Sequence, residues 1–227
     1  MKYVLLLFIV FFTIYTAFAQ KSRKSKSLFS TNYISDDNFP DSATKFTGII
    51  KYMMVTDNPY QKDSMYIIFG DNKIRVRMFL PGYKANEVYE ENMIADFKEN
   101  KFISVDVRNN TYTIENLGNR NSGVIYDIAS FKNKRQILQT PCQEYTGEMR
   151  VKEGEVFQIS TIVSNKHSYF DIKDYNFMNI QPAVVGNKIV LGYRSVYENR
   201  ETTMILAYEI ESGDTAAYFD LSHFTLQ

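Results

Sequence analysis

Two residue types that carry much of protein chemistry are scarce in this 227-residue chain, which has one cysteine and two histidines. The single cysteine, Cys142, excludes an intrachain disulfide, so packing must stabilise the fold. His167 and His223 lie far apart, and neither has a His or Cys neighbour at metal-ligand spacing. We therefore predict no metal site, and we interpret His167, in the polar stretch 164–168, as part of a turn.

An excess of charge is also missing, since 26 Lys and Arg balance 26 Asp and Glu. A protein with balanced charges lacks the excess of positive charge that is typical of nucleic-acid-binding proteins. The sequence contains no G-x-S-x-G elbow, no P-loop and no dinucleotide fingerprint. Cys142 has no sequence-local base that would activate its thiol. We predict that the protein is not an enzyme, needs no cofactor and keeps Cys142 in its core.

The N-terminus has the plan of a cleavable secretory signal. Lys2 precedes an uncharged apolar block at 4–12, and an Ala-Phe-Ala motif ends at Ala19. The block is shorter than the roughly 20 residues that a membrane-spanning helix needs. We predict a signal peptide at 1–19 and a soluble protein of the periplasm or the extracellular space. Because no cysteine follows Ala19, the protein should not be a lipoprotein.

A Ser-rich stretch with a cluster of cations at 21–27 follows the signal. Its composition predicts a flexible linker over 20–44, because few of its residues could be buried. The alternative interpretation is a weak contact with an anionic membrane surface through the cations. The remainder, 45–227, has the length of a single domain.

Alternation of apolar and polar side chains is the dominant pattern from residue 46 onward. The clearest case is a hairpin at 64–78, with its turn at 70–72, where Gly, Asp and Asn occur together. In its second strand, apolar residues alternate with basic ones. One face of this strand should therefore be buried and the other should be exposed to water.

The fold class follows from the repetition of this pattern. Further strands are predicted at 102–107, 111–114, 156–163, 188–197 and 202–210. Short strands at even spacing predict a mostly β protein, an antiparallel meander that forms a curved sheet or half-open barrel. At most one or two short helices are expected, within 84–93 or 124–137.

The same alternation predicts the side chains that line the concave side of the sheet. The expected apolar wall consists of Ile74, Val76, Met78, Ile103, Val105, Val107, Leu191, Tyr193, Leu206 and Tyr208. A partly open barrel with such a wall could hold one apolar molecule. Large apolar side chains are equally what a packed core contains.

Several segments resemble a family of exported proteins. Residues 46–52, 70–75, 94–98 and 110–112 resemble the sheet of exported bacterial proteins of unknown function, including GLPGLI-type proteins, which are similar in plan to the lipoprotein carriers LolA and LolB. Around Cys142, residues 137–145 resemble the family's central segment, although no Gly-Tyr precedes the cysteine. Residues 186–191 depart from the Gly-Leu-Pro-Gly-Leu-Ile signature. The resemblance implies a half-open antiparallel barrel in the envelope and does not by itself imply lipoprotein transport.

Two functions therefore stay open at this point. The first is an extracytoplasmic binding protein for an apolar ligand, a lipid or lipopeptide, in the bacterial envelope. The alternative is a structural or surface interaction domain of the envelope with a fully packed interior and no small ligand. An open cavity would distinguish the first function from the second.

Overall fold

Over the part of the chain that the structure describes, β-branched and aromatic residues at alternating positions contribute to thirteen strands. The computed structural model describes residues 43–54, 63–81, 88–118, 124–151, 154–170, 172, 178, 180–198 and 200–227. The strands are β1 (Thr44–Lys45), β2 (Gly48–Met54), β3 (Asp63–Phe69), β4 (Lys73–Pro81), β5 (Val88–Asp96), β6 (Lys101–Asp106), β7 (Thr111–Asn116), β8 (Ile125–Ile137), β9 (Thr140–Arg150), β10 (Val156–Ser168), β11 (Lys188–Tyr197), β12 (Arg200–Ser212) and β13 (Thr225–Leu226). The predicted signal peptide and all but the last two residues of the predicted linker, Ala43 and Thr44, lie outside the described residues.

Two antiparallel meanders make up one sheet. The first runs from β2 to β7 and the second from β8 to β12, with each strand beside its neighbour in sequence. The pairing of β12 with β2 joins them. The path from β13 beside β7 at one end to β8 at the other does not close, so the sheet is open and curved. The predicted fold class, mostly β with an antiparallel meander, is confirmed.

Helices are short throughout the described part of the chain. Two turns of 3-10 helix occur, at Pro182–Val185 and Ala216–Phe219. The expectation of at most one or two short helices is confirmed, but residues 88–93 belong to β5 and residues 125–137 form β8, while 84–87 lie outside the described residues. No helix in the described ranges is long and apolar enough to cross a membrane.

The two faces of the first meander follow from its register, because directly opposed residues of antiparallel strands project from the same face. Ile74 of β4 lies opposite Phe69 of β3 and Ala95 of β5, and we call this the inner face. Arg77 lies opposite Tyr66 and Asn92, on what we call the outer face. Consecutive residues of a strand alternate between these faces.

The C-terminal segment, residues 213–227, crosses the outer face as a strap. The Thr215 hydroxyl donates to the carbonyl oxygen of Phe69 at 2.9 Å, and the Arg75 guanidinium donates to the carbonyl oxygen of Tyr218. The Phe219 ring fits against Gly70, where the absence of a Cβ makes room for it. The strap ends as β13, which pairs in parallel with β7. It therefore links the end of the second meander to the far edge of the first.

The apolar interior consists of two clusters. The larger one includes Ile50, Ile67 and Ile74 of the first meander together with Leu191 of β11, each at most 2% exposed. The smaller one packs Ile159 and neighbouring side chains of the second meander against the segment that carries Val185. Each fully buried side chain of this size contributes about 1.5–3 kcal/mol to folding. These clusters are the main stabilising feature of the described domain.

Candidate functional site

The structure places the three predicted wall residues of β4 on the inner face. Ile74 and Met78 are buried on the inner face, and Val76 packs beside them half-buried. Leu191 belongs to the same cluster. Four of the ten predicted residues therefore meet in one apolar cluster.

The residues expected from β6 do not join them. Ile103 lies opposite Ile94, and Ile94 lies opposite Arg75, so Ile103 projects from the outer face. Val105 shares its face by the two-residue period. Val107 lies beyond the end of β6 and is 40% exposed. The expected common wall of Ile103, Val105 and Val107 with Ile74 is therefore wrong.

A bulge in β11 separates Leu191 from Tyr193. Ile162 pairs with Gly192 and Val163 pairs with Val190, which leaves Leu191 as the extra residue. An extra residue shifts the alternation by one position. Leu191 consequently packs in the larger cluster and Tyr193 in the smaller one, although two-residue spacing predicts a common face.

The residues expected from β12 also face outward. Leu206 lies opposite Met53, next to the inner-facing Ala207 in sequence. A second bulge leaves Tyr208 without a partner on β2. Its phenol meets that of Tyr66 on the outer face, and burial together with this hydrogen bond raises the pKa of Tyr208. Leu206 and Tyr208 thus belong to a different surface from Ile74.

That outer surface is the candidate functional site, and its register arranges it in three rows. The first row is Leu206, Met53, Ser64, Phe79 and Glu90; the second is Glu209, Lys51, Tyr66, Arg77 and Asn92; the third is Glu211, Ile49, Ile68, Arg75, Ile94, Ile103 and Ile114. The strap contacts the third row at Arg75, where Ile68 and Ile94 are at most 2% exposed. The first two rows, which we call the open rows, carry the partly exposed apolar and aromatic side chains Met53, Leu206, Tyr66 and Phe79.

Charges in the open rows are neutralised in place. Lys51 lies 2.7 Å from a carboxylate oxygen of Glu211 and 3.0 Å from one of Glu209. The hydrogen bonds to these two carboxylates raise the pKa of Lys51 above its usual value. Arg77 donates through Nε to Glu90 at 2.7 Å. The surface is therefore polar without carrying a large net charge.

Aromatic rings and cations interleave on the same surface. The rings of Tyr66 and Phe79 meet edge to face, with their centroids 5.1 Å apart. Lys51 lies 5.7 Å from the centre of the Tyr66 ring, and Arg77 lies 5.3 Å from the centre of the Phe79 ring. Such contacts stabilise ring positions by about 0.5–1 kcal/mol each at exposed sites. These four side chains of the open rows therefore support one another's positions.

A hydrogen-bonded network joins the open rows to the strap. Arg75 donates through Nε to the side-chain oxygen of Asn92 at 2.8 Å, and Asn92 donates to Glu90 at 3.2 Å. Glu90 also accepts from Arg77. Burial lowers the pKa of Arg75, although an arginine stays charged in proteins. The expectation that Arg75 faces water is wrong, because the strap covers it.

One carboxyl group lies on the inner face. Glu91 is opposite Met78 and half-buried, and burial raises its pKa. Val76, Leu80 and Met93 are the partly buried apolar side chains of the larger cluster on the same two strands. On β4 and β5, the inner face is therefore less completely buried around these three side chains and Glu91 than at Ile74.

Cys142 of β9 and His167 of β10 are both buried. The Cys142 thiol is fully buried and donates to the carbonyl oxygen of Thr140, and burial raises its pKa to about 12. Its predicted core position is confirmed. His167 lies at the end of β10 rather than in a turn, buried against the Phe46 ring. Over the described ranges, no group of three His, Cys, Asp or Glu side chains could hold a metal ion.

Sequence reasoning missed the open rows as a site. The two-residue alternation of β4 does place Phe79 on the face of Arg75 and Arg77, and that signal was available. The rows themselves depend on which residues of β2, β3 and β12 lie opposite this strand. A single sequence does not contain that register.

Comparisons with known proteins do not assign this chain to a family. No protein-family model matches the chain. No curated protein matches it either. Two crystal forms of PNGF-II, in space groups C2 and P21, align with 80% of the chain at 14% and 15% identity and TM-scores of 0.46 and 0.44. The chain spans 31% of the length of that protein, and a likeness at this level assigns neither family nor activity.

Proposed function

We propose that this chain is an exported interaction domain, with an interior packed by its own side chains and a binding surface on its outer face. The observation that carries the proposal is the burial of Ile74, Met78, Leu191 and Tyr193, each at most 3% exposed. Neighbouring side chains of the same protein cover these four residues. Little of the predicted apolar wall is therefore accessible to a ligand. A structural or interaction domain needs no cavity.

The outer face supplies what such a domain requires. Met53 is 41% exposed, and Leu206, Phe79 and Tyr66 are partly exposed beside it. Aromatic residues, Met and Arg are enriched at the centres of protein interfaces. A surface with this composition and fixed side chains is well suited to binding a macromolecule.

A carrier of a lipid or lipopeptide is the second candidate. It is favoured by the partly buried Val76, Leu80 and Met93 and by Glu91, a carboxyl group on the same face whose pKa is raised by burial. A lipid chain could lie along this end of the inner face with its polar group at Glu91. The resemblance to GLPGLI-type proteins and to LolA and LolB stays a prediction that agrees with this candidate.

Titration with an apolar fluorescent dye, combined with two substitutions, decides between the candidates. For a packed interior, the wild type should bind no dye, and Leu191→Ser should lower the free energy of unfolding by about 2–5 kcal/mol. Val76→Ser, at a partly exposed position of the same cluster, should cost about 1 kcal/mol or less. Dye binding by the wild type that Val76→Ser abolishes, without a change in melting temperature, would overturn the proposal and favour the carrier.

A further inference from the structure

The sheet has two edges that differ in how they are covered. At one edge, β13 covers part of β7, with backbone hydrogen bonds from Thr225 to Asn110 and from Gln227 to Tyr112. At the other edge lies β8, a strand of 13 residues. Over the described ranges, no strand pairs with the side of β8 that faces away from β9. The β8 edge is therefore the longer and the more open of the two.

Only the first half of β8 is a regular edge. Residues 125–131 pair one to one with residues 144–150 of β9, and a bulge then interrupts the register between Phe131 and Lys134. An edge strand presents a row of backbone N–H and C=O groups with which another strand can pair. Proteins commonly block such edges with proline or lysine. Residues 125–131 contain neither, and Asp127 is their only charged residue.

The smaller apolar cluster reaches the same edge incompletely covered. Its members on the interior strand β10 are buried, since Ile159 and Val163 are at most 4% exposed. On β8, Tyr126 and Ile128 are only partly buried against this cluster. Ile125 projects from the other face and is 65% exposed. An added strand would therefore bury more apolar surface on both faces of this edge.

A second copy of the chain supplies such a strand. A twofold axis perpendicular to the sheet runs two β8 strands antiparallel and keeps corresponding faces on the same side. The partly buried Tyr126 and Ile128 of each copy then lie beside those of the other, and such apolar pairs stabilise a sheet by about 0.2–1 kcal/mol each. An axis at Ile128 places Asp127 of one copy opposite Ala129 of the other, so like charges do not oppose each other. Because 26 Lys and Arg balance 26 Asp and Glu, the copies do not repel through a net charge.

We infer that two copies of this chain associate through residues 125–131 of β8, which pair antiparallel and join the two sheets into one. The inference goes beyond the proposed function, because it concerns neither the interior nor the open rows. Both copies use the same edge, so association stops at the dimer. A contact confined to this segment is smaller than the roughly 20–30 residues per partner of a standard interface, so the dimer should be weak and depend on concentration.

Sedimentation velocity of the purified protein from about 1 to about 100 μM tests the inference, and the sedimenting mass should double across a range suited to a weak dimer. Ile125→Lys combined with Ala129→Lys adds cations at two exposed positions of the edge and should raise the dimer dissociation constant by about tenfold or more. The matched control combines Val107→Lys with Ile114→Lys, at positions 40% and 41% exposed near the opposite edge. The control should change the constant by less than about twofold.

Hydrogen exchange of the wild type at the two ends of this concentration range locates the contact without any substitution. Amides within 125–131 should exchange about twofold or more slowly at the high concentration, and those of β7 should not change. A monomer at every concentration, assembly beyond the dimer, or protection confined to residues outside β8 would overturn the inference. Equal weakening by the two double variants, with equal urea midpoints at low concentration, would do the same. These measurements use no dye and no ligand, so their outcome is independent of the test of the proposed function.

Discussion

Tyr52 donates its phenol hydrogen to the carbonyl oxygen of Val190 across 2.8 Å, although the two residues are 138 positions apart in the chain. The N–H of the same Val190 donates to the Tyr169 hydroxyl at 3.3 Å. Two buried phenols therefore bind the backbone of one residue of β11, one at its C=O and the other at its N–H. This contact ties the two meanders together through the interior, in addition to the pairing of β12 with β2.

Tyr52→Phe should lower the free energy of unfolding by about 1–2 kcal/mol, because it leaves a buried carbonyl group without this donor. Urea denaturation monitored by circular dichroism measures the change. Tyr218→Phe is the control, since Tyr218 is 41% exposed and its contact with Arg75 uses only its backbone. Equal effects of the two substitutions would contradict the role of the Tyr52 hydroxyl.

Cys142 should react with a thiol reagent only when the protein unfolds. Its thiol is buried and its pKa is raised to about 12 by that burial, so very little thiolate is present at pH 8. The labelling rate in the native protein should be low and should rise with urea. A Val107→Cys variant provides a fast internal reference in the same chain, and equal labelling of both thiols would show that Cys142 is accessible.

The histidine of β10 predicts a dependence of stability on pH. Burial, and then the positive charge of Lys166, lower the pKa of His167 in the folded protein. The Phe46 ring packs on the imidazole, and the Ser164 hydroxyl accepts from the His167 backbone N–H. Because the unfolded chain binds the proton more readily, the stability due to neutral His167 is complete above pH of about 6.5 and falls as the pH drops toward the lowered value.

Unfolding free energies of the wild type and of His167→Gln at pH 7.5 and pH 5.5 test this dependence. The wild type should lose more stability than the variant between the two values, because the variant lacks the titrating group. Other groups contribute equally to both proteins and cancel in the comparison. A larger loss in the variant would mean that protonated His167 is stabilised in the fold.

The strap depends on the fit between Gly70 and Phe219. A Cβ at Gly70 would lie 2.5 Å from the nearest ring carbon of Phe219, so Gly70→Ala should displace the ring and cost about 1–2 kcal/mol. In a Phe219→Ala background the same substitution should cost much less, which a double-mutant cycle measures. Gly213→Ala is the control, because nothing lies within 4 Å of a Cβ there. Additive effects of Gly70→Ala and Phe219→Ala would contradict the contact.

The hairpin of the first meander illustrates what a sequence predicts well. Gly, Asp and Asn predict a turn at 70–72, and the structure has β3 and β4 on either side of it, with Asn72 at a positive φ of 57°. Turn chemistry and alternation are local properties, so they can be read along the chain. The inward position of Ile74 and Met78 follows from the same pattern.

The failures arise from relationships between distant strands. The alternation with polar residues predicts Ile103 on the face of Ile74, yet the register of β5 with β6 places it on the opposite face. The strap buries Arg75 from a position 143 residues away in the chain. Bulges at Leu191 and Tyr208 reverse the alternation within single strands. None of these effects leaves a local signature that one sequence reveals.

The pairing of β12 with β2 also determines when the domain can fold. Each meander consists of strands that follow one another, so each can assemble from nearby residues. The seam between them joins groups such as Lys51 and Glu211, which are 160 positions apart. Because distant contacts form slowly and require the entropy of a long loop to be overcome first, the seam should be a late event. During synthesis, the first meander must therefore wait until β12 has been made, with its β2 edge unpaired and open to incorrect partners until then.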